Sequence, residues 1–288
     1  MVNIGLLLLV VLFGSLNSVS VKIALQSFSP MLFTFFRFLI AFVIILPFLK
    51  QYRFFDFKKS KKLYLISTFA VLNVILFAFG IRLTTIIASS IIATTIPIIV
   101  GIFTHFYLGK RYRRNEVVGA VLGLIGTMYV VLLPVISGKV NVGGSLLGNI
   151  LIFGGIIPFA MYGVLTKSIH NDFSKKEITV ALFLLAWTSH LLFIGVELIN
   201  SRPLFIAEVT TKTLVALLFS ASLGTVAFYL LYQRLIARAG PLFASFFLYL
   251  SPLFSTIAAV ILIGEKPTPN LMAGAALTFL GVWLYGRK

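Results

Sequence analysis

A succession of long apolar runs constrains this chain more than any other feature. A helix needs roughly 20 predominantly apolar residues to cross about 30 Å of hydrocarbon. Ten runs approach or meet that length: 4–25, 30–49, 63–83, 86–108, 116–134, 146–166, 178–199, 213–235, 241–264 and 271–285. Backbone amides inside a bilayer find no water, so each run has to satisfy its own hydrogen bonds as a helix. The expected fold is therefore an all-α integral membrane protein with ten transmembrane helices. The first run has no basic segment ahead of it and no small-x-small cleavage pattern behind it. It reads as a helix and not as a secretory signal.

Charge supports the same reading. Only 11% of residues are charged, against about 25% in an ordinary soluble domain. The net charge of +17 would in a soluble protein point to nucleic acid. Here the lysines and arginines sit between the apolar runs, and no nucleic-acid partner is expected. With the N-terminus inside, the inner segments hold Lys50, Arg53, Lys58, Lys59, Lys61, Lys62, Lys110, Arg111, Arg113, Arg114, Lys167, Lys175, Lys176, Arg234, Arg238, Arg287 and Lys288. The outer segments hold only Arg82, Lys139, Arg202, Lys212 and Lys266. Positive charge concentrates on the cytoplasmic side of membrane proteins, so both termini are expected in the cytoplasm. The chain has no cysteine, which excludes disulfides and thiolate chemistry.

The sequence also repeats itself. At an offset of 155, Ser90 falls on Ser245, Pro97 on Pro252, Asn115 on Asn270, Gly119 on Gly274 and Gly126 on Gly281. Five helices per copy is an odd number, so the second copy should be inverted in the membrane, as in many transporters. The expected organisation is a first repeat over 1–134, an external linker over 135–145 and an inverted second repeat over 146–288. The loop after the fourth run reads GKRYRR, while its counterpart after the ninth reads GEKPTP. Positive charge falls away where inversion would carry the loop outside.

Several segments together resemble the EamA family of the drug/metabolite transporter superfamily. They are FGSLNSVSVKIAL (13–25), SPMLFTFFRFLIA (29–41) and GIRLTTIIASSIIATTIPIIVGIFTHFYLGKR (80–111), with a second copy over 239–281. Phe13 stands where that family usually has Trp, and the second half has no arginine matching Arg37. The resemblance implies a central cavity lined mainly by the first, third, fourth, sixth, eighth and ninth spans. It also implies alternating access and a bacterial plasma-membrane location. It fixes no substrate.

The residues themselves nominate a site. In the fourth span Ser90, Thr94, Pro97 and Gly101 share a helix face, and in the ninth Ser245, Tyr249, Pro252 and Thr256 do the same. Both faces read as cavity walls, with Pro97 and Pro252 as hinges because proline removes a backbone hydrogen bond. Close helix packing through small polar residues is the competing reading. Further cavity candidates are Asn17, Ser18 and Lys22 in the first span, Asn73 and Phe77 in the third, Tyr162 beside a third hinge, Pro158, and Tyr229 and Tyr232 in the eighth. Lys22 and Arg37 are charges inside spans. A gate or substrate contact competes with snorkelling for Lys22, and Arg37 is expected to serve structure by binding carbonyls near a helix end.

The acidic residues, Asp56, Glu116, Asp172, Glu177, Glu197, Glu208 and Glu265, all fall in loops or near span ends. Ion coupling usually needs a carboxylate within the membrane, so facilitated transport or exchange is expected over proton coupling. The histidines, His105, His170 and His190, lack metal-ligand spacing. No phosphate loop or nucleophile elbow appears. No catalytic residue, metal or cofactor is expected. Small polar or amphiphilic metabolites are the expected cargo: amino-acid-like, nucleoside-like or organic anions. A lipid flippase or scramblase and a non-transporting scaffold are the alternatives. Glycines in the fifth and tenth spans form a seam that can pack within a monomer or join a homodimer.

Overall fold

The structure, a computed structural model, describes residues 4–48, 56–108, 114–137, 143–199, 203–245 and 247–286. Of the basic residues used for orientation, Lys50, Arg53, Lys110, Arg111, Arg113, Lys139, Arg202, Arg287 and Lys288 lie outside these, as do linker positions 138–142. The described chain is helical. The helices are α1 (Ile4–Ala24), α2 (Pro30–Ile45), α3 (Phe57–Leu83), α4 (Ile86–Ala93), α5 (Ile96–Leu108) and α6 (Arg114–Ser137). They continue with α7 (Leu146–Lys167), α8 (Lys175–Ile199), α9 (Thr211–Ala221), α10 (Phe228–Ser245), α11 (Phe247–Ile263) and α12 (Pro269–Gly286). Among the described residues, seven helical runs are long and apolar enough to cross a membrane, and Val117–Leu133 and Phe247–Ile263 are shorter apolar helices. Outward faces stay apolar: Phe106, Leu192 and Ile261 are 76%, 75% and 73% exposed. Faces of that kind suit lipid and not water.

Two expected spans are interrupted, each for a local reason. The run over 86–108 divides at Thr94 and Thr95. Pro97 offers no N–H to the carbonyl of Ala93, and the two threonine hydroxyls turn back to the carbonyls of Ile91 and Ile92. The run over 213–235 contains a π-helical turn at Ser222–Ala227, which joins α9 to α10. Within α10 the helix is broken by a kink at Gly240, whose φ of 84° suits a residue without Cβ, and Pro241 starts the next segment.

The ends of the helices sort into two sets. Four of the hydroxyl-capped helix starts share one end: Ser29 holds the N–H of Leu32, Thr85 that of Ala88, Ser145 that of Gly148 and Thr210 that of Thr213. These starts lie together with the end of α1. Lys22 reaches the carbonyl of Thr84, Thr84 meets Asn149, and Ser27 bonds Glu208 and Thr213. The opposite end joins Lys167 to Ala237, His170 to Gln233 and Lys176 to Phe48. The start of α7 thus lies beside the end of α1, and these two helices run in opposite directions.

Packing between the halves is reciprocal. Helix α2 packs on α8 and α6 on α12, pairs formed by corresponding helices. Helix α3 packs on α7, and α1 on α9 and α10, which exchange under the same correspondence. The glycine seam lies within the chain. A Cβ on Gly281 would fall on the backbone of Gly123, and one on Gly126 would meet Thr278. Only hydrogen at these positions lets α6 and α12 approach so closely.

Candidate functional site

Between the halves lies a partly open cavity of about 130 Å³. Helix α1 contributes Gly14, Asn17 and Ser18; α2 contributes Arg37; α3 contributes Asn73, Val74 and Phe77. Helices α4 and α5 add Ser89, Ser90, Ala93 and Ile96, and α7 adds Phe159. Phe228 and Tyr229 enter from α10, and Phe247, Leu248 and Ser251 from α11. Aromatic rings and polar side chains share the wall with a few small or aliphatic residues.

The polar groups are held from behind. Asn17 accepts a hydrogen bond from Ser220 at 2.7 Å, and Asn73 donates to the carbonyl of Gly155 at 2.9 Å. Ser89 and Ser90 donate to the carbonyls of Ile86 and Ile87, both at 2.9 Å. Their lone pairs remain. Ser15, behind Gly14, shares a 3.0 Å hydrogen bond with Ser251 and ties α1 to α11.

Arg37 is the cation of the wall, 5% exposed. Its Nε donates to Thr225 Oγ1 at 2.6 Å, and its guanidinium carbon lies 5.2 Å from the Phe38 ring centroid. Thr225 belongs to the π-helical turn and donates its own proton to the carbonyl of Ser220 at 2.7 Å. A π turn inserted in an α-helix is a strained choice that recurs at functional sites. Here the extra residue supports Thr225 under Arg37 and sets Phe228 and Tyr229 on the wall. Gly224 in the same turn meets Asn17 so closely that an added Cβ would fall on the amide. An arginine at mid-helix costs about 2.5–3.5 kcal/mol on insertion scales. A hydrogen bond to a charged group contributes about 1.5–3 kcal/mol and a ring contact up to about 2 kcal/mol. Thr225 and Phe38 therefore offset much of that cost.

Seven candidates named from the sequence share this wall or its hinge: Asn17, Ser18, Asn73, Phe77, Ser90 and Tyr229 line it, and Pro97 sits at the α4–α5 break. Others lie elsewhere. Thr94 is fully buried and closes the last turn of α4, and Ser245 donates to the carbonyl of Leu242. Tyr249 packs near Ile98, away from the cavity. The cause is common to both copies. The expected faces began at Ser90 and Ser245; Ser90 keeps its place on the wall, but the wall runs on through Ser89, Ala93 and Ile96 and, in the second copy, through Leu248 and Ser251. One residue is a rotation of about 100° on a helix. Tyr232 stacks on Phe228 and on Phe159, and so stands behind the wall. Tyr162 is buried and accepts from Gln233 at 2.9 Å. Pro158 and Pro252 lie inside α7 and α11 without interrupting either helix. Arg37, expected to brace a helix end, instead lines the cavity. Phe228, Phe247 and Ser89 join the wall because their helices turn those positions inward, information that periodicity alone does not carry.

Lys22 lies at the capped end and not in the wall. Its ammonium forms a 2.9 Å ion pair with Glu265, which follows α11. The same carboxylate accepts from the N–H groups of Ile86 at 2.8 Å and Ile87 at 3.1 Å, at the start of α4. One carboxylate thus joins α1, α4 and the end of α11. At the opposite end His170 meets Gln233 at 2.8 Å, and Gln233 leads to Tyr162. Burial lowers the His170 pKa, helped by the ammonium groups of Lys167 and Lys175, while the Gln233 hydrogen bond opposes the shift.

These helices and their polar chamber define a multi-pass membrane protein of the transporter class. The chain belongs to the EamA-like transporter family, whose sequence model matches residues 1–132 and again 146–287. It is 27% identical to an uncharacterized transporter of Archaeoglobus fulgidus, over 97% of this chain and 84% of that protein. It is also 27% identical to the uncharacterized transporter YvbV of Bacillus subtilis, over 98% and 91% of the two chains. A match to YyaM of Bacillus subtilis, 26% identical, covers 72% of this chain and 66% of that one. A crystal structure at 17% identity superposes with a TM-score of 0.65 over 98% of this chain and 95% of the other, a likeness of fold.

Proposed function

We propose that this protein carries small polar or amphiphilic metabolites across the plasma membrane by alternating access, with both termini in the cytoplasm. Amino-acid-like, nucleoside-like and organic-anion solutes are the candidate classes. The observation that carries the reading is one chamber walled by both halves of the chain, with amide, hydroxyl and guanidinium groups among aromatic rings. Apolar packing alone leaves no such polar space, whereas solute sites near the midplane between repeats are common in secondary transporters.

In this reading the halves rock about the chamber. The Lys22–Glu265 pair and the neighbouring hydroxyl bonds hold the capped end shut. The α4–α5 break at Pro97 absorbs bending, with Pro158 and Pro252 as secondary points. The described wall contains no carboxylate, which favours facilitated transport or exchange over a proton relay. The seam of α6 and α12 closes within one chain, which favours a monomer.

Counterflow into proteoliposomes holding purified protein tests the proposal. Preloading with amino acids, nucleosides or organic acids in turn should drive accumulation of the matching labelled solute in at least one class. No accumulation above protein-free vesicles in any class would overturn it, as would translocation of labelled lipid alone.

A further inference from the structure

We infer that the chamber is a carboxylate site: Arg37 binds the anionic group of a small organic acid whose body is apolar or aromatic. The inference rests on reading the chamber as the solute site, and it names the cargo.

The argument begins with the donors of Arg37. A guanidinium carries five N–H groups in a planar fork. Among the described residues one hydrogen bond engages them, from Nε to Thr225. That bond fixes the plane of the side chain and leaves the two terminal nitrogens for something else. A pair of parallel N–H groups matches the two oxygens of a carboxylate. Thr225 itself is committed to the carbonyl of Ser220, so the anchor behind Arg37 is set before any ligand arrives.

The charge of the wall points the same way. Arg37 supplies one positive charge, and among the described residues no Asp or Glu lines the chamber. The protein's acidic side chains that bind nearest partners are used at the helix ends: Glu265 on Lys22 and Glu197 on Ser29. An organic cation entering here would find ring faces and neutral lone pairs, but it would meet the like charge of Arg37 with no described carboxylate to balance it. An anion would meet its counter-charge beside apolar walls, where attraction is stronger than in bulk water. The remaining wall, with Phe77, Phe159, Phe228 and Phe247, suits an apolar or ring-bearing body.

Binding to the purified full chain in nanodiscs tests this without any need for flux. The probes are 3-phenylpropionate, 3-phenylpropanol and phenethylamine, which present one body with an anionic, a neutral and a cationic end. Calorimetry should show the carboxylate binding about tenfold or more tighter than the alcohol, with the amine weakest. Arg37→Gln should erase that preference, and Arg37→Lys should keep part of it. Should Arg37→Gln fail to fold, the wild-type protein still decides. Phenylglyoxal labelling of Arg37, followed by peptide mass spectrometry, should be slowed by the carboxylate and not by the alcohol or amine. Equal affinity for carboxylate and alcohol, or an unprotected Arg37, would overturn the inference. If another solute class shows counterflow while the carboxylate does not bind, transport stands and the carboxylate site falls. Arg37-dependent binding with no flux in any class would do the reverse.

Discussion

At the scale of single residues, the groups that matter are polar side chains with a fixed supporting bond. His170 is one of them. Its Nε2 meets Gln233, and its pKa lies below the ordinary value of 6.5, chiefly through burial. A histidine shifted this way takes up a proton more readily in the unfolded chain. Stability that is intact above about pH 6.5 is then lost as the pH falls toward the folded value. Melting of the detergent-solubilised protein should move to lower temperature between about pH 7 and pH 5. His170→Gln should flatten that dependence, because an amide at this position does not titrate. An unchanged slope in the variant would show that His170 does not contribute. Histidine at 170 is plain in the sequence, but its partner lies 63 positions away, and only packing brings them together.

Among the elements, close approach is set by glycine and irregularity by hydroxyls and proline. The glycines of α6 and α12 are visible as a spaced series, and their contact follows from the absence of a Cβ. Gly281→Ala should cost about 1–3 kcal/mol by forcing the seam apart. Gly154→Ala is the matched control, since a Cβ there meets nothing within 4 Å. Thermal denaturation should show a lowered midpoint for the first and an unchanged or raised one for the second. Equal midpoints would remove the seam from the stability argument. The hinge at Pro97 is likewise legible, but the part that Thr94 and Thr95 play in the α4–α5 break is not. The π turn at Ser222–Ala227 is not. Nothing in SLGTVA differs from an ordinary apolar helix until Thr225 is seen under Arg37 and Gly224 against Asn17.

For the molecule as a whole, the two ends are joined by different contacts. Lys22 and Glu265 are 243 positions apart and join the first helix to the end of α11. Their side chains are 23% and 11% exposed, so solvent screens the pair only in part. If the pair holds this end shut, Lys22→Met and Glu265→Gln should be non-additive, with a coupling of about 0.5–3 kcal/mol in a double-mutant cycle. The natural absence of cysteine allows a direct readout. A single cysteine at Ser18 should react faster with an impermeant thiol reagent from the Lys22 side once Glu265 is Gln. Each kcal/mol of weakening corresponds to about fivefold in rate, if opening limits access. Additive effects and unchanged labelling would leave the pair as a surface contact with no role in closure.

The sequence by itself determined the class: helices in a membrane, an internally repeated chain, and a short set of polar residues within apolar runs. These follow from the cost of burying unsatisfied backbone in hydrocarbon, which depends on composition and run length and needs no knowledge of neighbours. Only the tertiary structure decided which face of each helix turns inward. Periodicity fixes which residues share a stripe but not where a neighbouring helix will lie. That is why the fourth and ninth spans present faces one residue away from those expected, and why Tyr162 and Tyr232 support the wall from behind. It is also why Arg37 stands in the chamber. Its supporting threonine comes from the opposite half of the chain, out of a π-helical turn.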